Sequence, residues 1–179
     1  IDLSGSMSGK PMNMARNAAM EFVSKINLNI HCVGIMGFAD RSKMFSNLTH
    51  EISSIESAIN KLDCNASRVG YGNDNNPLGD AIDIFKYYKE DSKNILIVLT
   101  DGVWSSKKQA IESSDYCREV GYEVVAIGFG SADKKFLERI STNSENALMT
   151  NLDNLVDSFG SIAQEISQSG GASGLKWNK

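Results

Sequence analysis

Asn94-Ile95-Leu96-Ile97-Val98-Leu99-Thr100, followed at once by Asp101-Gly102, is the most strand-like stretch of the chain, and it carries its own ending. Its aliphatic run has no polar face, which suits a strand buried on both sides of a parallel sheet. Asp101-Gly102 is an acidic turn at the carboxyl end of that strand, the edge where open α/β sheets bind their ligands. A second acidic turn stands at the start of the chain, in Ile1-Asp2-Leu3-Ser4-Gly5-Ser6-Met7-Ser8-Gly9-Lys10-Pro11. Asp2, Ser4 and Ser6 alternate on a glycine-softened turn, so a carboxylate and two hydroxyls can point into one small volume. Hard oxygen donors with this little charge suit a Mg²⁺ ion that keeps several of its waters. Taken alone, the same residues also read as a Ser/Gly-rich surface turn.

Working outward, buried strands alternate with amphipathic helices. Pro11 to Ile26 repeats Met12, Ala15, Ala18, Ala19, Phe22, Val23 and Ile26 at helical spacing. His31 to Phe38 is a short apolar run suited to a strand buried on both faces, and Met44 to Leu48 a weaker strand in an edge hairpin. Ile52 to Leu62 is a second helix. Asp63 to Asn76 is polar and glycine-bearing, a long loop of the kind that is usually functional or mobile. Pro77 opens a helix running to Tyr88. After the strand at 94–100 come a helix over Lys107–Val120 capped by Gly121, a strand over Glu123–Phe129 and a short helix over Asp133–Ile140. A short strand over Ala147–Thr150 and a helix over Leu155–Ser167 complete the order. This alternation predicts an α/β fold: a doubly wound, mostly parallel sheet with helices on both faces. If the strands before Asp2 and Asp101 are neighbours, the two acidic turns share one crevice.

Composition bounds the rest. The 179 residues suit one domain over 1–169, with Gly170–Lys179 as a flexible tail or linker carrying Trp177. Only Ile1 precedes Asp2 although that turn should follow a buried strand, so the chain reads as a piece of a longer protein. A formal charge of −4 and no basic run beyond two residues offer nothing to nucleic acid or an acidic membrane. Cys32, Cys64 and Cys117 have no C-x-x-C spacing, which indicates neither zinc nor a disulfide framework. Cys32 in its strand and Cys117 in its helix read as buried free thiols. Those thiols, the asparagine richness and the lack of sorting signals point to a bacterial protein of the reducing cytoplasm.

Asp2-x-Ser4-x-Ser6 together with Leu99-Thr100-Asp101-Gly102 resembles the metal-ion-dependent adhesion site of von Willebrand factor A (vWA) domains. The resemblance covers Ile1 to about Ser167, in both motifs and order of elements. It implies a Rossmann-like vWA fold in which Ser4 and Ser6 ligate a Mg²⁺ (or Mn²⁺ or Ca²⁺) directly, Asp2 acts largely through water, and Asp101 is the acid of the third loop. The family's second loop usually places a threonine before a helix reading roughly Pro-Leu-Gly-x-Ala. Here Pro77-Leu78-Gly79-Asp80-Ala81 fits, but Asn76 stands in the threonine's place. An amide oxygen can still serve a hard cation, and Asp74 and Asn75 are near enough to substitute.

Other residues have plainer readings. Asp80 and Asp83 suit the start of a helix, where the macrodipole favours acids. His31 and His50 lie apart with no ligand-type partner. Met20 reads as core, Met7 as a soft surface on the rim of the crevice. Trp104, beside the metal loop, reads either as a partner anchor or as packing on the neighbouring helix. Asn47-Leu-Thr49 and Asn65-Ala-Ser67 are formal glycosylation acceptors.

Functionally, a metal bound mostly by hydroxyls keeps its charge and favours an Asp or Glu carboxylate from a protein partner. The first reading is therefore a metal-dependent protein-interaction module, with Met7, Asp74 and Trp104 as partner contacts. The alternative is a scaffold or regulatory vWA subunit of a larger AAA+ or chelatase-like assembly, its metal structural. A metal-dependent hydrolase is disfavoured, because no Lys, His or Cys stands as nucleophile or base near either turn. The expectation is a protein that is not an enzyme.

Overall fold

The computed structural model describes residues 1–87, 92–102 and 104–169. Tyr88 and the 170–179 tail with Trp177 lie outside them. The strands are β1 (Val33–Phe38), β2 (Ser42–Thr49), β3 (Ile95–Thr100), β4 (Glu123–Gly128) and β5 (Ala147–Met149). The helices are α1 (Lys10–Lys25), α2 (Ile52–Asn60), the single turn α3 (Ala66–Val69), α4 (Pro77–Phe85), α5 (Lys107–Glu119), α6 (Lys134–Ile140) and α7 (Leu155–Ser169).

β3, β4 and β5 form a parallel sheet in that order, and β1 pairs with β2 as an antiparallel hairpin. Ile1–Leu3 joins the two. Asp2 makes a parallel bridge with Phe38, the Leu3 N–H donates to the Phe38 carbonyl at 2.7 Å, and the Asp2 N–H donates to the Leu99 carbonyl at 2.9 Å. The first residues thus lie between β1 and β3, and Asp2 comes out at the carboxyl edge beside the end of β3. This is the shared crevice that the alternation of elements predicts.

Two-residue periodicity in the strands builds a core on each face. Leu99, Val125 and Ile127 pack with Ala15, Ala18, Phe22 and Val23 of α1, Ile55 and Ile59 of α2, and Phe159, Ile162 and Ile166 of α7. Leu96, Val98, Val124 and Ala126 face the other way, onto Leu78 and Ile82 of α4, Ala110 and Cys117 of α5, and Phe136 and Leu137 of α6. Each fully buried aliphatic side chain contributes about 2 kcal/mol. Local chemistry sets the helix ends. Pro11 sits in the first turn of α1, Asp133 caps α6 by accepting from the Phe136 N–H at 3.1 Å, and Gly121 follows α5 with φ +77°.

Two expectations change. The 63–76 loop contains α3, started by Asn65, whose Oδ1 accepts from the Ser67 N–H at 3.0 Å. Val69 at its end is fully buried in the first core, which holds this polar stretch down. Cys32 is exposed, because β1 begins one residue after it, so its reading as a buried thiol fails; Cys117 is buried as expected. Among the described residues no helix is long and apolar enough to cross a membrane.

Candidate metal centre

After Leu3 the chain leaves the sheet and makes a 3₁₀ turn over Gly5–Met7. That turn swings Ser6 across to the end of β3. The Ser6 hydroxyl donates to Asp101 Oδ1 at 2.8 Å, and Ser4 Oγ lies 3.1 Å from Ser6 Oγ. Since Ser6 has used its proton on the carboxylate, the Ser4 hydroxyl is the donor of that second contact. Asp2 is fully buried, with both carboxylate oxygens engaged: Oδ1 accepts from the Ser4 N–H at 2.8 Å, and Oδ2 from the Thr100 hydroxyl at 2.6 Å. Asp2, Ser4, Ser6 and Asp101 therefore meet in one place, 95 residues apart in sequence between Ser6 and Asp101. Of the four, Asp2, Ser4 and Asp101 are buried while Ser6 is exposed, so the cluster opens to solvent at Ser6.

Burial raises the Asp101 carboxyl above the ordinary carboxylate range; the Ser6 hydrogen bond opposes this, and the charge of Asp2 adds to it. Two acids in one crevice repel each other, and a cation between them would relieve both effects. Among the described residues, no group of three or more His, Cys, Asp or Glu side chains is placed to hold a metal. Any ion here would depend on hydroxyl and amide oxygens besides these two carboxylates.

The expected partner contacts divide. Met7 is fully buried in the first core, so it is no soft rim. Trp104 is only 2% exposed. Its ring meets Phe38 and Phe136 edge-on, at centroid distances of 5.1 and 5.3 Å, and its indole N–H donates to Thr100 Oγ1 at 3.1 Å. The partner-anchor reading is corrected: this ring braces the hydroxyl that holds Asp2. Asp74 is exposed. Tyr71, not singled out from the sequence, is 62% exposed beside the first loop, its carbonyl accepting from the Gly5 N–H at 3.0 Å. Gly70 makes that approach possible, with φ +86° and no room for a Cβ against the Asp40 carboxylate.

In the second loop, Asn76 is anchored through its amide nitrogen, which turns to α5, donating to Ser113 Oγ at 2.8 Å and the Gln109 carbonyl at 3.3 Å. Asn75 is committed to Ser42 and to Asp80 Oδ2. Asn73 packs its amide against Gly102, next to Asp101, and its carbonyl accepts from the Ser105 N–H at 3.0 Å. The side-chain oxygens of Asn73 and Asn76 are both shielded from solvent and lack a hydrogen-bond partner among the described residues. A shielded, unpaired amide oxygen is costly, and a nearby cation is one way to satisfy it.

The family model for the von Willebrand factor type A domain matches residues 1–165. The chain belongs to the von Willebrand factor type A family. This vWA chain is 35% identical over 78 residues to the human collagen alpha-5(VI) chain, an overlap of 43% of this chain and 3% of that one. Its fold matches the vWF domain of the type V pili tip protein Mfa5 from Porphyromonas gingivalis, with TM-score 0.79 at 13% identity over 98% of this chain and 96% of that one. It also matches proximal thread matrix protein 1 from the mussel byssus, solved with zinc in its MIDAS motif. There the TM-score is 0.73 at 23% identity, over 91% of this chain and 43% of that one. The vWA chain thus spans less than half of the byssus protein and a small part of the collagen chain. vWA domains are generally protein-interaction modules.

Proposed function

We propose that this vWA domain binds a protein partner through a divalent cation, Mg²⁺ or its hard relatives Mn²⁺ and Ca²⁺, and that an Asp or Glu of the partner completes the ion's coordination. The reading rests on one observation above the others: Ser6 reaches across to Asp101, bringing the Asp2-x-Ser4-x-Ser6 turn and the third loop together at the carboxyl edge. The residues present fit such an ion. Ser4, Ser6 and Asp101 would hold it, Asp2 would act from behind through its fixed carboxylate, and the shielded oxygen of Asn73 would serve for the second loop in place of Asn76. An ion held chiefly by neutral oxygens keeps its charge, which a partner carboxylate then meets. Without it, Asp2, Asp74 and Asp101 repel that same carboxylate. Exposed Tyr71 supplies apolar contact at the rim, the role that buried Met7 and Trp104 leave open.

Scanning calorimetry with Mg²⁺ or Mn²⁺ against EDTA tests the ion. At a hundred times the dissociation constant, binding stabilises the fold by roughly 2.7 kcal/mol. Equal melting temperatures in metal and EDTA would remove the site. Pull-down of a partner in Mg²⁺ then tests the interaction: EDTA and Ser4→Ala should each release it, and Tyr71→Ala should weaken it in part. Binding retained in EDTA would favour the scaffold reading.

A further inference from the structure

The amino edge of the sheet carries a second pair of reactive groups. Cys32 stands just before β1 and His50 just after β2, and the hairpin pairs Val33 with Thr49. Register alone therefore brings the two flanking residues together at the open end of the hairpin. Cys32 Sγ lies 3.0 Å from His50 Nε2, and His50 Nδ1 lies 2.7 Å from the Leu28 carbonyl oxygen. A carbonyl only accepts, so Nδ1 carries the ring proton, and in the neutral imidazole Nε2 is left as an acceptor facing the thiol. His50, expected to lack a ligand-type partner, has one in Cys32.

The other thiols are differently placed. Burial pushes Cys64 up to about 11, with the charges of Asp2, Asp63 and Asp101 adding to it. Burial likewise pushes the enclosed Cys117 up to about 11. Both stay protonated and slow at neutral pH. Cys32 combines exposure with a neighbouring base. β1, at a rise of about 3.3 Å per residue, puts roughly 20 Å between this pair and Phe38 at the crevice.

We propose that Cys32 is a modification site for low-molecular-weight disulfides, with His50 as the base that takes its proton. The thiol proton passes to His50 Nε2 while the Cys32 sulfur attacks one sulfur of the incoming disulfide. A new S–S bond forms to Cys32 and the old one breaks. The departing thiolate leaves with that electron pair and recovers a proton from His50 or water. One disulfide is consumed and one formed, so no further oxidant is needed. An exposed thiol at a strand end suits attack on an unhindered sulfur, whereas attack on a carbonyl would need donors built around the developing oxyanion.

The probes are oxidised glutathione and dithiodipyridine, used on the intact chain. A single fast-reacting thiol should map to Cys32 by peptide mass, and Cys32→Ser should abolish the fast phase. His50→Gln should slow it on the order of tenfold. In urea, where the sulfur–imidazole contact is gone, the wild-type rate should fall to that of a free cysteine peptide, a readout that needs no variant to fold. Modified protein should keep its metal-induced rise in melting temperature, which separates this site from the crevice. A folded wild-type rate no faster than in urea, an unchanged rate in His50→Gln, or Cys64 reacting first would each overturn the proposal.

Discussion

The first and second loops of the crevice use their polar groups in opposite directions. The first points its oxygens inward: Ser6 donates to Asp101, Ser4 to Ser6, and Asp2 is held by Thr100 and the Ser4 N–H. The second points its amide nitrogens outward, Asn76 to α5 and Asn75 to Ser42, and leaves the oxygens of Asn73 and Asn76 without partners among the described residues. One loop is thus organised before any ligand arrives. The other is anchored to its neighbours, and only a shielded oxygen remains to complete the site. Preorganised donors lose little freedom on binding, so the first loop should set affinity and the second should tune it.

Four substitutions would break or sharpen that contrast. Trp104→Ala, which removes the brace behind Thr100 and opens a cavity between Phe38 and Phe136, should cost about 4 kcal/mol in urea unfolding. Loss near zero would mean that the inward-facing network stands without its aromatic support. Asp2→Ala should cost about 3 kcal/mol, because the Thr100 hydroxyl and the Ser4 N–H are left buried and unpaired. It should also erase the metal-induced rise in melting temperature, and a preserved rise would break the assignment of the first loop. Within the second loop, Asn76→Ala should cost about 1 kcal/mol through the lost contacts to α5 and leave the metal effect intact. Asn73→Ala should do the reverse, with little change in stability and a smaller metal effect. Calorimetry showing the opposite pattern would mean that the Asn76 amide turns inward on the ion.

Much of the fold was legible because burial leaves a periodic mark. Ile95 to Leu99 has to be sandwiched, and its alternate residues do divide between the two cores. The acid–hydroxyl spacing at Asp2, Ser4 and Ser6 pointed to the crevice because donor type and strand-end position are local properties. Cys32 was misread for the same reason: an apolar run extends its strand on paper, while the ladder begins only where β2 offers a partner, at Val33.

The sequence by itself determined the α/β order, the helix starts at Pro11 and Pro77, and which oxygens stand at the strand ends, since each depends on residues close in the chain. The tertiary structure alone decided that Ser6 meets Asp101, that Trp104 and Met7 face inward, that Asn76 turns to α5, and that His50 meets Cys32. Those contacts join residues 18 to 95 positions apart or set the direction of a loop side chain. No local periodicity encodes them, because they arise only when strand register and helix packing have placed the backbone.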